Sequence, residues 1–225
     1  MAPVTEIVRF TPREGQEAEF QTVLASTAST LQQQPGCQAV HSSATLEEDN
    51  PLHVLLVDWD TIESHQAFEA SPAYAPFAEK LGPVLAAPPV LYHVAFAPAH
   101  PPVLRNSSAA KSAVTELLHL YFPAGDAFTA DQVAGVARDV QTFLDRLLPE
   151  HVAGITGEVA AGWALEEIDY KGEKARAFVA AVGWESLEAH HKYRDTEHFA
   201  KSIPLIRGLA GLKGADMFHL STKTW

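Results

Sequence analysis

A single cysteine, Cys37, stands in a chain of 225 residues. No intrachain disulfide can form, so the fold must rest on packing, and a reducing compartment is the matching environment. No stretch of eighteen apolar residues occurs, which excludes a membrane-spanning helix. Positive charge is scarce: 16 Lys and Arg face 28 Asp and Glu, a net charge of −12. With no basic cluster to offset that charge, a phosphate backbone would be repelled, so nucleic acid is not expected as a partner. The opening MAPVTEIVRF has neither the basic start nor the long apolar stretch of a secretory signal. The cytosol is therefore the expected location. Apolar residues are plentiful at 47%, enough to build packed cores.

The chain also repeats itself. VLLVDWDTIESHQ begins at Val54 and VAAVGWESLEAHH at Val179; each is an apolar run, a tryptophan, an acid and a histidine. Val4-Thr5-Glu6-Ile7 pairs with Val114-Thr115-Glu116-Leu117, and Leu91-Tyr92-His93-Val94 with Met217-Phe218-His219-Leu220. Solenoid units run roughly 20–50 residues, shorter than this repeat, so a duplicated domain is indicated. The offset grows from 110 residues at Thr5/Thr115 to 125 at Trp59/Trp184 and 126 at His93/His219. The second copy has therefore gained residues, with 123–130 and 166–174 as the two expected places. The units are expected at 1–97 and 113–225. Residues 98–112, rich in Pro, Ser and Ala, are expected to link them.

Within the first copy, alternation predicts strands over 4–10, 37–46, 52–59 and 90–96, with a polar hairpin tip at 47–51. Helical spacing predicts helices over 17–31, from Asp60 onward with Glu63 closing a capping box, and over 73–85. The second copy follows with strands over 114–121, 152–165, 175–184 and 215–221, and helices over 130–148, 187–194 and 197–209. The order β-α-β-β-α-β is that of a ferredoxin-like unit, an α+β class with helices on one face of an antiparallel sheet.

VDWDTIESHQAFEASPAYAPFAEKL and VGWESLEAHHKYRDTEHFAKSIPLI carry a resemblance. Each copy resembles the antibiotic biosynthesis monooxygenase group of the dimeric α+β barrel superfamily, and the chain looks like a tandem version of the sort common in fungi. The resemblance implies an intramolecular pseudo-dimeric barrel, which leaves room for a further homodimer. It also implies an apolar or aromatic, polyketide-like small molecule as substrate in secondary metabolism, handled without cofactor or metal. The relatives' pocket positions fall on Trp59 with His65 and on Trp184 with His190. The two histidines are the expected catalytic residues, since a base near neutral pH suits removal of a phenolic or enolic proton. Phe68, Tyr74, Tyr92, His93, Tyr193 and His219 are expected to shape the pockets. At the positions of a polyketide cyclase relative's catalytic Tyr/His pair the first copy has Phe68 and Tyr74 and the second Tyr193 and Phe199, so neither copy holds the full pair.

Plainer readings compete. Trp59 and Trp184 also read as core residues, because large aromatics dominate burial. Glu6 and Glu116 read as charges guarding an edge strand. His93 and His219 face either the lumen or solvent. Glu188, His190, His191 and His198 give a weak metal pattern with no second motif. A barrel that only binds an apolar ligand, or serves a stress response, is the alternative to an enzyme; haem handling is a third. Divergence at Asp58/Gly183, Phe68/Tyr193 and Tyr74/Phe199 leads to the expectation that one pocket works while the other supports the fold.

Overall fold

The computed structural model describes residues 2–47, 49, 51–106 and 111–225. Glu48 and Asn50 of the expected hairpin tip and residues 107–110 of the expected linker lie outside the described residues.

The first unit builds β1 (Val4–Phe10), α1 (Glu17–Gln32), β2 (Cys37–Ala44), β3 (His53–Trp59), α2 (Ile62–Glu69), α3 (Tyr74–Glu79) and β4 (Val90–Val94). The second repeats the plan with β5 (Val114–Pro123), α4 (Ala130–Leu144), β6 (Ile155–Trp163), β7 (Ile168–Tyr170), β8 (Glu173–Trp184), α5 (Leu187–Arg194), α6 (Glu197–Ser202), α7 (Pro204–Arg207), β9 (Gly214–Leu220) and β10 (Lys223–Thr224). The sheets run β10-β2-β3-β1-β4 and β6-β8-β5-β9, with β7 on β8. All pairings are antiparallel. This is the expected α+β architecture of two ferredoxin-like units.

Period-two alternation sorts the side chains into two faces. On β1, Ile7 joins Leu56 and Tyr92 in a central core shared with Leu117, Tyr121 and Phe218 of the second sheet. Val8 and Phe10 point the other way and meet Phe20, Leu24 and Leu31 of α1. The second unit has its own helix-side core around Val136, Val140, Phe143 and Trp184. The molecule is thus layered helix, sheet, sheet, helix, with two helix-side cores and one common centre.

Four findings differ from the sequence expectations. First, β1 lies between β3 and β4, and β5 between β8 and β9. Glu6 and Glu116 therefore sit on inner strands and guard no edge. Second, α2 is capped by Thr61, whose hydroxyl accepts from the Ser64 amide at 3.3 Å; Asp60 instead donates its backbone N–H to Gly36 at 2.9 Å. Third, the described part of the expected linker is packed. Val103 and Leu104 enter the central core, and Arg105 reaches the Asp58 carboxylate at 3.2 Å. The apolar Val-Leu pair outweighs the Pro- and Ser-rich composition around it. Fourth, β10 leaves its own unit and pairs with β2, Lys223 opposite Ser42 and Thr224 opposite His41. It extends the first sheet with chain from the second unit.

Candidate active site

Four elements of the first unit and one loop of the second converge on one row of side chains. The β1–β4 register sets Glu6 beside His93, so both project to the helix side. β3 ends in Trp59, and the Thr61 cap starts α2 at once. His65, one turn into that helix, folds back over the tryptophan with ring centroids 5.0 Å apart and planes 25° from parallel. The Trp59 indole N–H donates to Glu6 Oε2 at 2.7 Å. His65 Nε2 lies 3.7 Å from the same oxygen. His65 Nδ1 bonds His93 Nε2 at 2.8 Å. Beyond it, His93 Nδ1 and its backbone N–H both bond the carboxylate of Glu166, at 2.6 and 2.7 Å. Glu166 belongs to the loop between β6 and β7 of the other unit.

Burial and charge divide the protons unevenly along this row. Burial of Glu6 pushes its carboxyl up to about 7, with the Trp59 hydrogen bond and the charge of His93 pulling back. Burial, helped by the His93 charge, pushes His65 down to about 4. Burial also opposes a charge on His93, but the Glu166 hydrogen bond and the carboxylates of Glu6, Glu166 and Glu69 outweigh it, and His93 is raised. The row therefore favours positive charge on His93, held against the Glu166 carboxylate, beside a His65 kept neutral near pH 7 and a Glu6 that titrates there. With His93 protonated, its Nε2–H donates to His65 Nδ1, which leaves the His65 proton on Nε2, facing Glu6. The expectation that His65 itself titrates near neutrality does not hold; the group that does is Glu6.

The second unit repeats the wiring. Trp184 donates to Glu116 at 2.9 Å, His190 bonds His219 at 2.7 Å, and His219 Nδ1 bonds Glu47 of the first unit at 2.6 Å. Its charge balance differs. At the place of Glu69, whose carboxylate lies 4.0 Å from His65 Nε2, the second unit has Arg194. Burial, with His219, Arg194 and His191 adding positive charge, drives His190 down to about 3. His219 is lowered as well, by burial first and by His191 and Arg194 in addition, despite Glu47. The second row stays uncharged on its histidines.

The cavities above the two rows also differ. The first, about 480 Å³, is lined by Glu6 and His65 at its polar end, with Val8, Thr27, Leu55, Tyr74 and Leu91 among its walls. The second is about 200 Å³ and is lined by Glu116, His190, Tyr193, Trp184 and Phe143 among others. The buried faces of α1 and α4 match at an offset of 116: Phe20/Val136, Leu24/Val140, Thr27/Phe143, Ala28/Leu144. A phenyl ring thus occupies in the second unit the space left open above Thr27 in the first. Binding pockets for small molecules run roughly 300–1,000 Å³; the first cavity falls in that range and the second below it. Thr27→Phe is expected to close the first cavity. Where no void exists, such overpacking costs about 1–3 kcal/mol; here the ring enters open space, so the melting temperature should hold. Calorimetric titration with an apolar aromatic ligand that wild type binds should show binding lost, and retained binding would show that the ligand sits elsewhere.

The predicted residues fall into three groups. His65 and Tyr74 line the first cavity, and Trp184, His190 and Tyr193 the second. Trp59, Phe68, His93 and His219 are buried one layer behind. Phe68 backs Tyr74 at 5.4 Å. Tyr92 departs from expectation: it faces the central core and bonds His119 at 2.5 Å, because neighbours on a strand point to opposite faces and His93 takes the pocket side. Glu6, Glu166, Glu47 and Glu69 were not among the predicted site residues. A signal for two of them exists in the paired Leu46-Glu47-Glu48 and Leu165-Glu166-Glu167.

Glu6, His65 and His93 bring three metal-type donor atoms within 4.8 Å of one another, as do Glu116, His190 and His219. The weak pattern weighed through His191 and His198 is not among these groups. In the first row two imidazole nitrogens are committed to each other and a third to Glu166. Only His65 Nε2 and Glu6 stay open, fewer than the three or four protein ligands of a zinc site. The row is a hydrogen-bonded relay.

Residues 3–80 match the family model described as antibiotic biosynthesis monooxygenase. No curated protein matches the sequence. Among solved structures, a presumed monooxygenase from Fusobacterium nucleatum is 10% identical with a TM-score of 0.61, covering 99% of this chain and 94% of its own. An anthrone oxidase-like protein is 12% identical with a TM-score of 0.58, covering 100% and 94%. A presumed monooxygenase from Lactobacillus acidophilus is 13% identical with a TM-score of 0.55, covering 100% and 96%. At these identities the likeness speaks for the shared two-unit fold. The match to the antibiotic biosynthesis monooxygenase model thus falls on the first unit, over residues 3–80, and the second unit repeats that unit's ferredoxin-like fold.

Proposed function

We propose that the first unit is a cofactor-independent monooxygenase site for a hydroxylated aromatic of the anthrone type, and that the second unit is its supporting half. The observation that carries this is the open end of the row: Glu6 and His65 Nε2, 3.7 Å apart, at one end of an otherwise apolar cavity of about 480 Å³. A phenolic or enolic oxygen docked between them would donate its proton to Glu6 and accept the His65 Nε2–H. Glu6 suits the task because a general base works best with a pKa near the working pH, and its own lies at about 7. His65, held neutral, serves as the donor that stabilises the oxyanion. The resulting anion is electron-rich enough to pass one electron to dioxygen. Recombination forms a carbon–oxygen bond to a peroxide, which takes up a proton. Loss of the remaining hydrogen on that carbon, with cleavage of the O–O bond, gives a carbonyl and water. The sum is anthrone plus O2 to anthraquinone plus water. The apolar walls exclude solvent from the anion.

The family description and the anthrone oxidase-like neighbour support this substrate class. On this reading the chain works in the cytosol, in secondary metabolism, with units at 1–97 and 113–225 joined by 98–112. The test is oxygen uptake with 1,8-dihydroxyanthrone, followed across pH. Uptake above the uncatalysed rate is expected, with kcat/KM rising through an apparent pKa near 7 as Glu6 ionises. No uptake above background with any anthrone would reject the reading.

A further inference from the structure

We infer that Glu166, supplied by the second unit, is a positioning residue of the first unit's site, setting the proton arrangement of His93 and, through it, of His65. The inference deepens the proposed function and rests on it only for the use made of the arrangement. The geometry is a complete chain of contacts. Glu166 grips His93 at both Nδ1 and the backbone amide, His93 Nε2 meets His65 Nδ1, and His65 Nε2 opens on the cavity. The backbone reinforces it, since Leu165 N–H donates to the His93 carbonyl at 2.8 Å. The mirror contact in the other unit, Leu46 N–H to the His219 carbonyl at 2.9 Å with Glu47 on His219, has the same form. A contact made twice, in each case across the units, belongs to the plan of the fold.

The groups facing His93 are His65 and Glu69 from α2, Glu6 from β1 and Glu166 from the opposite loop. Of these only Glu166 binds its Nδ1, and so only Glu166 decides which histidine nitrogen carries a proton. With Glu166 ionised, His93 keeps both N–H groups, and His65 must accept at Nδ1 and present Nε2–H to the substrate. With a neutral amide in its place, His93 loses its counter-charge, and the proton between the two rings is free to sit on His65 Nδ1. His65 would then offer a lone pair where the substrate oxygen needs a donor. The second unit shows the same wiring without the charge, because Arg194 and His191 face its row where Glu69 faces the first.

The experiment uses the full chain, 15N-labelled at histidine, as wild type, Glu166→Gln, Glu166→Asp and Glu47→Gln. Ring nitrogen shifts are followed against pH, alongside oxygen uptake with 1,8-dihydroxyanthrone. Glu166 is partly exposed, and Glu47→Gln makes the same lesion in the mirror contact, so it controls for damage to the fold. In Glu166→Gln, His93 should titrate lower, His65 should change from the Nε2–H to the Nδ1–H tautomer, and kcat should fall about tenfold or more at nearly constant KM. Glu166→Asp should recover part of each, and Glu47→Gln should leave the His65 and His93 signals and turnover unchanged. An unaltered His65 tautomer in Glu166→Gln would overturn the inference. A tautomer change in Glu166→Gln, with a wild type that turns over no anthrone, would uphold the positioning role and reject the proposed function instead.

Discussion

Replacing His65 with phenylalanine is expected to lower anthrone-dependent kcat by about 10²–10³-fold, the usual cost of losing one oxyanion donor. The same replacement at His190 should leave turnover at the wild-type level. Phenylalanine keeps the ring against Trp59 or Trp184, so packing is held nearly constant and the polar atoms alone are removed. Each variant loses one histidine–histidine hydrogen bond, 2.8 Å in the first row and 2.7 Å in the second, and leaves a buried partner unsatisfied. Each should therefore lose a similar stability, about 1–3 kcal/mol. Equal lesions with unequal consequences would assign catalysis to the first unit. The physical reason for the inequality is space and charge together: the second cavity holds about 200 Å³, and its histidine row stays uncharged beside Arg194. Equal losses of turnover from the two variants would reject the one-site reading.

Glu6→Gln should stabilise the protein in alkali while abolishing the activity that depends on its ionisation. The carboxyl of Glu6 titrates at about 7 in the folded chain against 4.5 in the reference state. Between those values the folded protein binds more protons than the unfolded one, so this group's favourable contribution is complete below pH 4.5 and lost as pH rises through 7. Holding Glu6 ionised above that point costs on the order of 3 kcal/mol. Glutamine keeps an oxygen for the Trp59 N–H and removes the charge. Denaturant midpoints measured from pH 4 to 9 should coincide for the two proteins at the acid end and separate toward alkali, with the variant the more stable. His65 and His190 act in the opposite direction. Lowered to about 4 and 3 from 6.5, they bind fewer protons folded than unfolded, so their share of stability is lost as pH falls from 6.5. In wild type the Glu6 and His65 contributions nearly cancel between pH 4.5 and 6.5. The variant should therefore show the uncompensated histidine slope, gaining stability with pH across that window. Parallel profiles would mean that Glu6 is not the neutral-pH group.

Much of this was legible in the chain because duplication writes each element twice. The strand–Trp–acid–His segment fixed the place of Trp59, His65 and their counterparts before any geometry was known. What stayed hidden depends on neighbours that sequence does not order. Glu6 was visible as a repeated residue, but only the strand order, with β1 inside the sheet, makes it a buried group facing a cavity. Tyr92 was misplaced although the alternation that excludes it was available: it adjoins His93, and two successive strand residues cannot line one pocket. Glu166 acts across units, at a distance of 73 residues from His93, and only the reciprocal Leu-Glu-Glu triplets hinted at it. The size difference between the cavities depends on Thr27 and Phe143, which align only once the buried faces of α1 and α4 are known.

The pairing of β10 with β2 has a consequence for biosynthesis. Lys223 lies opposite Ser42, so the edge of the first sheet is closed by residues translated 181 positions later. At about 5–20 residues per second, that is a delay of roughly ten to forty seconds. Until then β2 is an open edge on the emerging chain, with unpaired amides able to recruit a neighbour on the same polysome. The first unit reaches its finished form only after the second has been made, so the half with the larger cavity is, in order of assembly, the one completed last.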